Sequence, residues 1–84
     1  MYTEKELMEK ASELSFKNRD MVDKSSKCGC YACCQIYDAK YVWEYVDDGE
    51  TALCPMCYMD SVLADASGVQ LDVIELEHLR YKWF

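Results

Sequence analysis

The sequence contains no apolar run that approaches the length needed to span a bilayer. Its opening residues, Met1-Tyr2-Thr3-Glu4-Lys5-Glu6, lack the basic stretch and following apolar stretch of a Sec leader. The expectation is a cytoplasmic chain that does not enter a membrane. Basic charge is scarce as well: nine Lys and Arg stand against sixteen Asp and Glu, for a formal net charge of -7. Binding to a phosphate backbone depends on Lys and Arg that displace counterions, so nucleic acid is a disfavoured partner. Solubility is the plain role of the acidity. Histidine occurs once, as His78 among Glu75, Glu77 and Arg80, outside any Cys/His pair of metal-site spacing. No set of acid, base and nucleophile stands beside it, so the chain reads as a non-enzyme. Repeats and low-complexity segments are lacking too, so residues 1–84 read as one domain.

Cysteine, by contrast, is plentiful. Cys28-Gly29-Cys30-Tyr31-Ala32-Cys33-Cys34 is followed by no further cysteine until Cys54-Pro55-Met56-Cys57. Two Cys-x-x-Cys pairs suit a four-thiolate zinc site, because each short pair can present both sulfurs to one ion. Three disulfides are the competing use of six cysteines, but in a reducing compartment thiols stay reduced and metal binding is favoured. The pair Cys30 and Cys33 has the spacing that recurs in Cys54 and Cys57, so these four are the expected ligands, with Cys28 the alternative. Cys34 is expected to point away from the ion into the core. Iron in a rubredoxin-like site is the less favoured metal, since tetrahedral sulfur accepts either. A chain of 84 residues buries only about 60% of its unfolded surface, so metal-dependent folding is expected.

Around the cysteines the sequence reads as α+β: a small zinc-ribbon or knuckle-like metal module with a short β-hairpin, flanked by two amphipathic helices. Residues 1–26 form the first helix and connector, 27–66 the two-knuckle module, and 67–84 the last helix. Thr3-Glu4-Lys5-Glu6 is a capping box with Tyr2 and Leu7 at the staple positions, and it opens a helix predicted to run to about Arg19. Leu7, Ala11, Leu14 and then Met21 with Val22 form its apolar stripe, with Glu4, Lys5 and Glu9 among the polar residues elsewhere. Asp23–Lys27 is a connector, and Gly29 lets the knuckle backbone approach the ion. A short strand over Cys34–Tyr37 then leads to Asp38, which can cap a short helix over Ala39–Val46. The same residues alternate apolar and aromatic as a strand would. Asp47-Asp48-Gly49-Glu50 is a turn. Thr51–Leu53 and Tyr58–Leu63 are expected to pair as the hairpin around the second knuckle. Residues 64–68 break the chain. Asp72–Glu75 is a second capping box with Leu71 and Leu76 as staple, so the last helix starts at Val73 and should cover the module with Val73, Leu76, Leu79 and Trp83.

The combination Cys28-Gly29-Cys30-Tyr31-Ala32-Cys33, Asp47–Cys57 with its Asp-Asp-Gly turn and Cys-Pro-Met-Cys knuckle, Asp60-Ser61-Val62 and Trp83-Phe84 resembles a family of small bacterial and phage zinc-ribbon-like proteins labelled only "cytoplasmic protein". The likeness covers residues 27–84. It implies a cytoplasmic zinc-containing protein and the short helix after Asp38. This chain has Ala39 where the family has proline, and Cys34 where a hydrophobe is usual.

Eleven aromatic residues, seven of them Tyr, exceed what a thin core needs, and Tyr and Trp favour interfaces. The leading expectation is a protein-interaction or adaptor module built on a structural four-cysteine zinc site. The alternatives are an acidic phage- or mobile-element inhibitor of a host nucleic-acid-binding or defence protein, a zinc-ribbon nucleic-acid binder, and a thiol redox switch. The partner protein stays unspecified.

Overall fold

The computed structural model describes residues 2–84. Met1, and the side chain of Glu4 that the helical wheel places among the polar residues, lie outside the described residues. The elements run α1 (Glu4–Leu14), α2 (Arg19–Lys24), β1 (Lys27–Cys30), β2 (Ile36–Asp38), a 3-10 turn (Ala39–Tyr41), β3 (Tyr45–Val46), β4 (Thr51–Ala52), β5 (Val62–Ala64), a second 3-10 turn (Asp65–Ser67) and α3 (Val73–Trp83). Mixed helices and short antiparallel strands around a cysteine cluster agree with an α+β class.

β1 is the central strand of a three-stranded sheet ordered β2-β1-β5, and β3 pairs with β4 in a separate hairpin. Because side chains alternate across a strand, this sheet separates two cores. Cys28 and Cys30 of β1, with Val62 and Ala64 opposite them on β5, face a cluster that includes Val22, Ala39, Val42, Ala52 and Cys54. The intervening register pair, Gly29 and Leu63, belongs to the other side, where Leu63 joins Leu7 and Ala11 of α1 with Leu76 and Leu79 of α3. The cysteine module thus occupies one face of the sheet, and the two long helices cover the other.

The glycine serves the helices, not the ion. A Cβ at Gly29 would stand 3.1 Å from Leu71 Cδ2 and 3.2 Å from Leu76 Cδ1, so hydrogen is what lets α3 and the residue leading into it settle on β1. Gly29→Ala is expected to lower stability by about 1 kcal/mol, the cost of crowding a packed core less the entropy gained from a stiffer unfolded chain. Urea denaturation of the metal-loaded protein checks this; an unchanged midpoint would show that Leu71 and Leu76 move aside freely.

The capping box at Thr3 forms as read: the Glu6 amide donates to Thr3 Oγ1 and the Thr3 amide to Glu6 Oε1. That bonding holds the Glu6 carboxyl below its ordinary value. Leu7 is buried and Tyr2 packs against the same cluster, as the staple requires. The helix, however, ends at Leu14 and not near Arg19. Ser15 Oγ donates to Ala11 O and shares a 3.0 Å hydrogen bond with Tyr31 Oη, while Lys17 takes a left-handed φ of 49°. The chain then restarts as α2, where Val22 is buried and Met21 is exposed.

Further expectations are corrected. No helix spans Ala39–Val46. The Asp38 carboxylate, needed as its cap, instead meets Lys27 Nζ at 2.6 Å, and one 3-10 turn suffices to bury Ala39 and Val42 before β3 begins. Nor does Thr51–Leu53 pair with Tyr58–Leu63. β4 pairs with β3, and the later segment contributes β5 to the other side of β1. Tyr58, with a φ of 64°, turns the chain where a strand was expected. The first outgoing strand begins at Ile36, later than read. In α3, Asp72 Oδ1 accepts from the Ile74 amide, and Leu76 and Leu79 are buried, but Val73 and Trp83 are exposed and do not cover the sheet. Trp83 instead reaches across α1, its indole N–H donating to Met8 O at 3.2 Å.

Candidate metal centre

Each knuckle is closed by its own backbone. In the first, the Cys30 amide donates to Gln35 O at 3.0 Å and the Cys34 amide to Cys30 O at 2.8 Å; in the second, the Cys54 amide donates to Met59 O at 2.9 Å and the Tyr58 amide to Cys54 O at 2.8 Å. The two sets correspond residue for residue at an offset of 24 positions. The residue after each second cysteine, Cys34 or Tyr58, has a left-handed φ of 61° or 64°. Such a φ turns the chain back sharply, and in a non-glycine residue it costs about 1–3 kcal/mol. That both knuckles adopt it marks the geometry as imposed by the loop.

This backbone gathers four sulfurs. Those of Cys30, Cys33, Cys54 and Cys57 all lie within 4.8 Å of one another. Across the two knuckles, Cys30 and Cys57 are 3.6 Å apart and Cys33 and Cys54 are 3.7 Å apart. A regular tetrahedron of sulfurs at the usual zinc–sulfur distance of about 2.3 Å has edges of about 3.8 Å. The residues present therefore fit a four-coordinate metal ion, each knuckle supplying two ligands. All six cysteines are free thiols.

Donors surround the sulfurs. The Ala32 amide points at Cys30 Sγ and the Met56 amide at Cys54 Sγ, both at 3.3 Å. The Gln35 and Met59 amides act on Cys33 and Cys57 in the same way. Ser61 Oγ lies 3.1 Å from Cys30 Sγ. The electrostatics of Cys33, Cys54 and Cys57 show why a cation would suit the group. Burial, with the neighbouring thiols adding repulsion, pushes Cys57 up to about 11 and Cys33 higher still. Burial would raise Cys54 as well, but the Tyr37 hydroxyl and the Met56 and Cys57 amides hold it below the ordinary thiol value. Four thiolates this close need a central positive charge, which a divalent ion would supply.

The remaining candidates fall outside the group. Cys28 is fully buried one register step from Gly29, paired across the sheet with Tyr37 and Ala64. Burial and the Asp65 carboxylate push its thiol up to about 12, the behaviour of a core residue. Asp65 is itself fixed by the Ser26 and Lys27 amides. Cys34 is half-buried against the α1 and α3 cluster, on the side where the sequence had placed it. His78 lies on an exposed face of α3, away from the four sulfurs.

Three contributors escaped the sequence reading. Ser61, known only from the resemblance, and Tyr37 have no expected role at the metal, although each stands seven positions after the first cysteine of a knuckle, which is a signal once the repeat is noticed. Asn18 is buried and bridges strands across the module, with Nδ2 donating to Val62 O at 2.7 Å and Oδ1 accepting from the Ala52 amide at 3.0 Å. Among the described residues, no helix is long and apolar enough to cross a membrane. Comparison of the chain with protein-family models, with curated proteins and with solved structures gives no match.

Proposed function

We propose that the chain is a non-catalytic zinc-binding module for protein interaction, in which Cys30, Cys33, Cys54 and Cys57 hold one structural Zn2+. The observation that carries this reading is the set of four sulfurs at near-tetrahedral spacing, contributed by two knuckles that leave no protein-free position for a substrate. A cytoplasmic, reducing setting goes with it, because the sulfurs must remain thiolates.

Two surface features support interaction as the purpose. Tyr37, Tyr41, Trp43, Pro55 and Met56 line an apolar groove of about 460 Å³ beside the second knuckle, with Trp43 68% and Met56 62% exposed. Exposed aromatic and Met side chains of this kind are typical of recognition surfaces. The net charge of -7, which four zinc-bound thiolates deepen by about 2, opposes nucleic acid. The same acidity carries a second reading, an inhibitor that occupies a basic, nucleic-acid-binding surface of another protein; its complex would weaken steeply with salt.

Native mass spectrometry of protein purified without added metal is expected to show one zinc per chain, and the sample to be colourless. Iron would redden it. A folded chain with disulfides and no metal would overturn the reading. For the interaction, a captured protein should be lost with Trp43→Ala while zinc content stays at one; capture that survives this change places the contact elsewhere.

A further inference from the structure

The repeat of 24 positions extends beyond the ligands, to two hydroxyls. Ser61 stands seven positions after Cys54, yet its Oγ lies 3.1 Å from the sulfur of Cys30, the first cysteine of the other knuckle. Tyr37 stands seven positions after Cys30. It packs against the cluster that contains Cys54, and its hydroxyl is buried without a hydrogen bond of regular geometry. Among the described residues only one other buried side-chain polar atom shares that condition, Glu75 Oε2. A buried hydroxyl without a well-formed hydrogen bond costs about 1–3 kcal/mol, so its place in the fold calls for a stronger acceptor than a neutral thiol.

We infer that Tyr37 and Ser61 are a crossed pair of positioning residues, each hydroxyl donating to the first thiolate of the opposite knuckle, Tyr37 to Cys54 and Ser61 to Cys30, when the site holds its metal. This rests on the zinc reading above and deepens it. The two acceptors are the fully buried sulfur residues of the site, whereas Cys33 and Cys57 are partly exposed. Water can solvate the outer pair but not the inner one, so the inner pair depends on protein donors. Backbone amides already reach both inner sulfurs, those of Ala32 and Met56 at 3.3 Å. The hydroxyls supply a further, side-chain donor to each and spread the excess negative charge of a divalent ion with four thiolates. Groups that orient and polarise metal ligands in this way commonly alter metal affinity by about 10–100-fold.

The crossing has a further effect: each hydroxyl belongs to the chain segment leaving one knuckle and bonds a sulfur of the other. The pair therefore ties the knuckles to each other as well as to the ion.

Tyr37→Phe removes one hydroxyl and keeps the ring; Ser61→Ala removes the other. Transfer of zinc to a chromophoric chelator should quicken about tenfold for each and about a hundredfold for the double variant. In the cobalt-substituted proteins the sulfur-to-cobalt charge-transfer band should move to longer wavelength, because a thiolate that loses a hydrogen bond gives up its electrons more readily. A role confined to packing would leave that band in place. Variants that hold one zinc with the wild-type transfer rate and an unshifted band overturn the inference while leaving the zinc reading intact. Wild-type protein that takes up neither zinc nor cobalt overturns both. Tyr37 and Ser61 are read independently, so failure of one variant to fold leaves the other to decide.

Discussion

Removing the metal with a chelator is expected to unfold the chain. A structural zinc site in small peptides contributes about 10–16 kcal/mol of apparent binding free energy, and a domain of this size has a total stability of about 5–15 kcal/mol. The metal term is as large as the whole margin. The core around the cysteines offers little in its place: among the described residues its buried side chains are Cys, Ala and Val, including Val22, Ala39, Val42, Ala52, Val62 and Ala64, with Tyr37 and Tyr45 only partly buried against them. Small side chains bury little area, at about 25 cal/mol per Å². Loss of far-ultraviolet circular dichroism on chelation, restored by stoichiometric zinc, is the expected result. Cys30→Ser or Cys54→Ser should reproduce it. Cys28→Ala, which removes a buried thiol outside the four-sulfur group, should keep the metal and cost about 1 kcal/mol or somewhat more. A chelated chain that keeps its spectrum and its melting temperature would show that the helical core is sufficient alone.

Asn18→Ala is expected to be strongly destabilising although it leaves the sulfurs untouched. Asn18 is 4% exposed. Its amide serves two backbone groups at once: the Val62 carbonyl on β5 at 2.7 Å and the Ala52 N–H on β4 at 3.0 Å. Ala52 is the residue two before Cys54, and Val62 follows Ser61, so the side chain fixes both the entry and the exit of the second knuckle. Alanine would leave a buried donor and a buried acceptor unpaired, at about 1–3 kcal/mol each, for a total of about 2–6 kcal/mol. Asn18→Asp retains the acceptor and loses the donor while placing a charge in the core, and should be at least as damaging. Urea denaturation of the zinc-loaded proteins measures both. A loss below about 1 kcal/mol for Asn18→Ala would mean that water reaches the two orphaned groups.

The cysteine site was legible because its geometry is local. A Cys-x-x-Cys pair brings two sulfurs to one point whatever surrounds it, and the caps at Thr3 and Asp72 are likewise short-range. Pairing of strands is different. Thr51–Ala52 could have met any extended segment nearby, and what assigns it to Tyr45–Val46 is a combination of distant contacts. The Arg19 guanidinium lies 4.5 Å over the Tyr45 ring and its Nη1 donates to Gly49 O, holding the turn between β3 and β4. The helix over Ala39–Val46 failed for a similar reason. Asp38 is a competent cap in isolation, but Lys27, its partner in the β1–β2 register, competes for the carboxylate. The break after Leu14 was hidden because Ser15, Lys17 and Asn18 are not helix breakers by type; their roles appear only once Tyr31, Thr51, Ala52 and Val62 are near. Likewise a left-handed residue is normally announced by glycine, and here Cys34 and Tyr58 occupy those positions.

The self-contained bonding of the knuckles bears on the order of events during folding. Each knuckle closes over a six-residue span, Cys30 to Gln35 or Cys54 to Met59, without help from the other. Closures of that length take well under a microsecond, whereas joining the two halves means closing a much longer loop. A chain that has caught an ion on one knuckle meets the second at the high effective concentration of a tethered ligand. Free zinc then enters the rate law as a reactant. Refolding should quicken as its concentration rises, and level off once capture by the first knuckle is complete. In a cell where that concentration is held low, the speed at which new copies of this chain mature would be set by metal supply.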